Sequence, residues 1–202
     1  MARNPDRENR DDEVPTGKKL DDLYKLIDGI EVAMLTTRRP DGQLVSRAMQ
    51  TQRRTAGTDL WFVTNWFEGK LDEIAQDPHV NVSYYKDRTR DWVSVSGTAI
   101  ISRDRDLIAG LYKPDWKAWF PEEVGNPRRD GGPNDERITL ILVEANVVTY
   151  SKTNKPAPLV LFEVVKAMVT GSTPKVADVR TIGEQELRTA PAREQHKGSE
   201  AR

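Results

Sequence analysis

Between Gly42 and Lys70 the chain reads GQLVSRAMQTQRRTAGTDLWFVTNWFEGK, and Arg47, Thr64, Asn65 and Lys70 in it carry groups suited to holding a phosphate. A guanidinium can bind such a group bidentately, an ammonium acts as a point charge, and a hydroxyl or amide donates to the remaining oxygens. Each hydrogen bond to a charged group contributes about 1.5–3 kcal/mol. Taken singly, each of these residues is equally a solvated position on a sheet edge. The case rests on what brings them together.

Little else in the chain competes with that chemistry. There is no cysteine, which removes thiolate metal sites, disulfides and cysteine nucleophiles. The two histidines, His79 and His196, stand at a strand start and in the C-terminal segment. No H-E-x-x-H, G-x-S-x-G, G-x-G-x-x-G or G-x-x-x-x-G-K-[ST] pattern occurs, and no paired carboxylates stand out. No metal site is expected. If the protein catalyses a reaction, a cofactor is expected to carry the chemistry.

The net charge of -1 provides no broad basic field, so neither nucleic acid nor an anionic membrane is an expected partner. No run approaches the ~18 apolar residues of a membrane span, and the first residues lack the apolar core of a secretory signal. A cytoplasmic protein is expected. Hydrophobic residues make up 37% and charged residues 31%, and the excess polarity lies at the two ends. Residues 1–15 and 172–202 are therefore expected to be disordered tails around one folded domain, residues 16–171.

Several elements must position the phosphate-holding groups. Leu20, Leu23, Tyr24 and Ile27 recur at helical spacing before Gly29. VAMLTT and GQLVSRAMQTQ flank a Pro40-Asp41-Gly42 turn, and a second turn near Ala56 and Gly57 leads into TDLWFVTN. These three runs read as a meander. KLDEIAQ forms a short helix that stops at Pro78, and HVNVSYYK and DWVSVSGTAIIS alternate as strands, with Gly97 marking a bulge or a close backbone approach. Ser102 or Asp104 caps a further short helix. A long Pro- and Gly-rich excursion then carries Trp116, Trp119 and Phe120, ahead of the strand ITLILVEANVVTYS. Leu159, Phe162, Val165 and Val169 describe a closing helix. The order predicts a mainly β fold with flanking helices, an antiparallel barrel of six or seven strands.

In this order, the MLTT strand, PDG turn, S-R-x-M, LWFVTN, Lys70, the D-P-x-V-x-V-x-Y run from Asp77, VSVSGTA and the W-x-x-W-F-P loop resemble the pyridoxamine 5'-phosphate oxidase-like FMN-binding split-barrel superfamily. The general stress protein 26-type branch is the most similar part of it, and the resemblance spans Leu20 to Gly171. It implies a split β-barrel homodimer holding FMN at the subunit interface. By position it implies phosphate contacts from Arg47 and Lys70. It places backbone along the flavin at Ala48 and Met49, and the strand Phe62, Val63 and Thr64 beside the ring and ribityl chain.

The chain departs from that pattern at several positions. Gln52 stands where the oxidase has a second basic residue, and Glu68 and Gly69 precede Lys70 in place of Ser and Arg. Ser151 follows Tyr150 where an aromatic pair is usual. The oxidase's substrate-binding Arg and His have no counterpart, so oxidation of pyridoxamine phosphate is not expected. These changes predict a weaker phosphate grip, for which Arg53 or Arg54 are substitute donors. The expected function is that of an FMN-binding stress-type protein, with flavin-dependent redox chemistry on an unnamed small molecule. Two alternatives are an F420-dependent reductase, with Arg53, Arg54, Arg128 and Arg129 widening a basic groove, and a non-enzymatic flavin-binding module.

Overall fold

The computed structural model describes residues 10–11, 13–54, 59–153, 157–171 and 176–189. Its elements in chain order are helix α1 (Thr16–Asp28), strands β1 (Val32–Arg38), β2 (Leu44–Gln50) and β3 (Leu60–Asn65), and helix α2 (Lys70–Gln76). Strands β4 (His79–Lys86) and β5 (Asp91–Ser102) follow, then helix α3 (Arg105–Leu111) and a 3-10 turn at Pro114–Ala118. Strand β6 (Ile138–Thr153), helix α4 (Ala157–Thr170), strand β7 (Ala177–Ile182) and helix α5 (Glu184–Thr189) complete the chain. Seven strands form one sheet in the order β2-β1-β4-β5-β6-β3, with β7 paired to β6. This is the mainly β architecture with flanking helices that the alternating runs predict. The turn expected at Ala56–Gly57, His196 and the outer parts of both tails lie outside the described residues.

The chain divides into two units. One takes the described residues of Met1–Glu31, Ser83–Val95 and Asn146–Pro191; the other takes those of Val32–Val82 and Ser96–Ala145.

In the first unit, α1 buries Leu20, Leu23, Leu26 and Ile27 at the spacing read from the sequence. The Tyr150 hydroxyl donates to the Lys19 carbonyl at 2.9 Å. Strand β7 pairs antiparallel with β6 from Val148↔Ile182 to Thr153↔Ala177, and Arg10 bridges Val179 in parallel. These elements correct the expectation of structureless segments before Thr16 and after Gly171. Charge compensates for the scarcity of apolar residues there. Buried Arg180 is ion-paired to Asp22 and Asp11, and Lys152 reaches Asp22 at 2.6 Å. Burial alone would raise the Asp22 carboxyl, but hydrogen bonds from Lys152, Arg180 and Lys18 outweigh it and hold it at about 2. Helix α4 forms where its periodicity predicts, yet Leu159, Phe162, Val165 and Val169 are exposed rather than packed.

In the second unit, β1 and β2 form the predicted hairpin, in register from Val32↔Gln50 to Arg38↔Leu44. The meander ends there. Strand β3 pairs instead with β6, from Leu60↔Val143 to Asn65↔Ile138. The near-continuous apolar runs of β3 and β6 match each other, whereas β2 is mostly exposed. The Gln52 N–H then donates to the Trp61 carbonyl at 3.2 Å and links the two ends of the strand order.

Gly97 on β5 marks a close approach of backbone: a Cβ there would collide with the Glu144 carbonyl oxygen of β6. Gly97→Ala is expected to destabilise the protein by about 1–3 kcal/mol, read by chemical denaturation, because the strand must shift to admit one methyl group.

Candidate functional site

A cleft of about 660 Å³ opens in the second unit, lined by strands β1, β2 and β3, by Glu68 and Lys70, and by the segment Asp115–Phe120. Strand β2 contributes Arg47, Ala48 and Met49, and β3 contributes Val63, Thr64 and Asn65. Six of the seven positions expected to bind a cofactor thus share one wall system. Phe62 is the exception: it has no exposure, does not line the cleft and belongs to the core.

The cationic groups are held by short, directed bonds. Arg47 donates from Nη1 to the Thr37 hydroxyl at 2.7 Å and from Nη2 to Glu73 Oε2 at 2.8 Å. Thr37 in turn donates to the same Glu73 oxygen. Burial alone would raise Glu73, but the bonds from Thr37 and Arg47 hold its carboxyl below the ordinary range, so it stays ionised beside the guanidinium. This pairing fixes the direction of Arg47 and uses two of the five N–H donors a guanidinium carries.

Lys70 opens α2 and is 8% exposed, so its ammonium is fixed rather than freely solvated. It donates to Thr64 Oγ1 at 2.7 Å and to Glu68 Oε2 at 3.1 Å. Because Thr64 accepts from Lys70, its own O–H proton remains to be donated. Lys70 and Thr64 therefore present two donors to an oxyanion, with Glu68 beside them.

A further part of the lining comes from the excursion before β6. Trp116 and Phe120 are 3% exposed and pack in a cluster with Trp61, Ile108, Ile138 and Leu140. Trp116 meets Trp61 and Tyr112 edge-on, with ring centroids 6.2 Å and 5.5 Å away. A buried ion pair pins the loop behind them. Arg137 grips Asp135 through two nitrogens at 3.0 Å and 2.7 Å and also donates to the Pro121 carbonyl. The Asp135 carboxylate also accepts from Gly131 N–H; burial alone would raise it, but these donors hold it below its usual range. Gly131 has φ 71° and no room for a side chain against the Phe120 carbonyl. Trp119, by contrast, is 75% exposed at the cleft edge.

Several site features were not visible in the sequence. Thr37 and Glu73 orient Arg47, and the only signal for Thr37 was its place diagonal to Arg47 across the hairpin. Lys113 reaches Gln52 Oε1 at 3.2 Å, so a cation approaches in space the position where the sequence lacks one. Arg53, Arg54, Arg128 and Arg129 do not line the cleft. Arg54 is buried, and Arg129 is held by Glu123 and Glu136.

These residues fit a phosphorylated flavin. The cleft size falls in the usual range of about 300–1,000 Å³ for small-molecule pockets. Its walls combine apolar and aromatic side chains with one cationic, hydroxyl-bearing region. The Trp116 indole N–H in the wall is buried without an acceptor among the described residues, a donor that a ligand carbonyl could satisfy.

The seven-stranded antiparallel sheet and this cleft define a split-barrel protein. The chain belongs to the pyridoxamine 5'-phosphate oxidase-like family, whose model matches residues 18–175. It is 38% identical over 183 residues to Protein bli-3 of Neurospora crassa, covering 90% of this chain and 87% of that one. A structure assigned to general stress protein 26 from a Jannaschia species superposes with a TM-score of 0.62 at 21% identity, covering 83% of this chain and 99% of that one. A pyridoxamine 5'-phosphate oxidase-related, FMN binding protein from Nostoc punctiforme gives a TM-score of 0.53 at 17% identity, over 69% of this chain and 84% of that one. At these identities the two structures share the fold with this chain.

Proposed function

We propose that the cleft binds FMN and that the protein is a flavin-dependent oxidoreductase of the general stress type. The observation that carries this reading is the Lys70–Thr64 pair: a buried ammonium and a hydroxyl, 2.7 Å apart, on the wall of a cleft otherwise suited to a planar aromatic ligand. Lys70, Thr64 and Arg47 would hold the phosphate. Ala48, Met49 and Val63 would flank the rest of the cofactor, and Trp116 would offer its N–H. FMN, when bound, would supply the hydride or electron transfer. The protein's part is to orient the ring and shield one side of it with the Trp116–Phe120 segment. Among the described residues lining the cleft, the acidic side chains are Glu68 and Asp115.

The same reading makes the active form a homodimer. Val32, Met34 and Ala48 expose an uncharged sheet face beside the cleft, and Val32 and Ala48 line the cleft itself. Asn81, Ser96 and Ile100 continue that uncharged outer surface on β4 and β5. In a chain whose residues are 31% charged, such a face is suited to a second copy. The arginines that would widen a basic groove for F420 lie away from the cleft wall, which favours FMN. Incubation with FMN followed by desalting tests the proposal. A retained flavin spectrum is expected, and loss of all flavin together with unchanged FMN fluorescence during titration would contradict it.

A further inference from the structure

Among the described residues, Glu68 is the one acidic group bonded to the Lys70 ammonium, at 3.1 Å, and it lines the same cleft. The two partners differ in freedom. The Lys70 side chain is 7% exposed and tied to Thr64, whereas the Glu68 side chain is 53% exposed. The carboxylate is therefore the mobile half of the pair, able to swing into solvent at little cost. Arg47 makes a useful contrast. Its carboxylate partner Glu73 is itself fixed by Thr37, its side chain is 14% exposed, and it does not line the cleft. Glu73 orients its cation from behind, while Glu68 stands where an incoming anion must go.

Resting on the reading that the cleft takes FMN, we infer that Glu68 is a built-in counter-ion that a phosphate monoester displaces from Lys70. In the free protein it neutralises the buried ammonium. On binding, a phosphate must break the Lys70–Glu68 bond and tolerate a carboxylate of like charge nearby. Both effects lower affinity for the phosphate end of the ligand and neither touches the ring. Glu68 thereby lowers how tightly the phosphate end of the cofactor is held.

The test compares wild type and Glu68→Gln by titration with FMN and with riboflavin, which has the same ring and no phosphate. A parallel thermal-melt series uses inorganic phosphate. Glu68→Gln is expected to bind FMN about tenfold more tightly, the scale set by losing one half-exposed ion pair and one like-charge repulsion. Riboflavin affinity should stay within about twofold, as the change lies outside any ring contact. Equal FMN affinity in the two proteins would overturn the inference and leave FMN binding standing. An equal gain for FMN and riboflavin would also overturn it, since the effect would not concern phosphate. If neither protein binds FMN but phosphate raises the melting temperature of Glu68→Gln more than that of wild type, the FMN reading fails and the counter-ion role stands. If phosphate also acts equally on both, the counter-ion role falls as well.

Discussion

Lys70→Met is expected to weaken FMN binding by about 10- to 100-fold while changing riboflavin binding by less than about twofold. The ammonium is buried, bonded to Thr64, and positioned by the first turn of α2, so its charge is delivered to one place. A hydrogen bond to a charged group contributes about 1.5–3 kcal/mol, which sets the fold-change. Met keeps the length and packing of the lysine stem, so the melting temperature should shift little. The substitution also leaves Glu68 without its cation, which adds repulsion toward the phosphate. Fluorescence titration with both flavins measures the difference directly. Equal losses for FMN and riboflavin would place the phosphate elsewhere.

The second large effect concerns stability. Asp22→Ala is expected to cost about 3 kcal/mol in chemical denaturation, because it leaves buried Arg180 and neighbouring Lys152 without a shared carboxylate. The figure sits at the low end for a broken buried pair because Arg180 keeps Asp11 at 2.9 Å. Acid dependence follows with a definite sign. Folding lowers the Asp22 carboxyl from 3.8 to about 2, so between those values the folded state holds fewer protons than the unfolded chain. The ionised group supports stability above about pH 4, and that support is withdrawn as pH falls toward 2. Asp22→Asn should lose this portion of the acid dependence. Identical slopes for wild type and Asp22→Asn across that range would show that the network contributes nothing.

Local pattern explains what was readable in advance. Alternation in HVNVSYYK and DWVSVSGTAIIS, the Pro40–Gly42 turn and the helical spacing of Leu20, Leu23 and Ile27 each depend on neighbours along the chain, and each appears in the fold. The pairing of β3 with β6 depends on residues far apart in sequence, and a run such as LWFV does not name its partner. Strand β7 was hidden for a different reason. ADVRTI carries few apolar residues, and its attachment rests on Arg180 finding Asp22 and Asp11, which composition cannot register.

The site shows the same division. Arg47, Thr64 and Lys70 stand at positions that hairpin and helix signals fix locally, and the fold brings them to one cleft. Their carboxylate partners were not equally legible. Glu68 lies two residues before Lys70, so its presence was visible, but only geometry shows it bonded to the ammonium. Glu73 carries no sequence signal that sets it apart from other helix residues; Thr37 and Arg47 close around it only in the fold. The two tryptophans of the loop, three residues apart, part company in the same way: Trp116 enters the core and Trp119 stays at the cleft edge.

Equilibrium titration of FMN fluorescence with the purified protein tests the central claim most directly. Quenching that saturates at one FMN per chain, and that is competed by excess non-fluorescent phosphate ester far better for wild type than for Lys70→Met, is the predicted result. Fluorescence that stays at the level of free FMN throughout the titration would contradict the assignment of this cleft to a flavin.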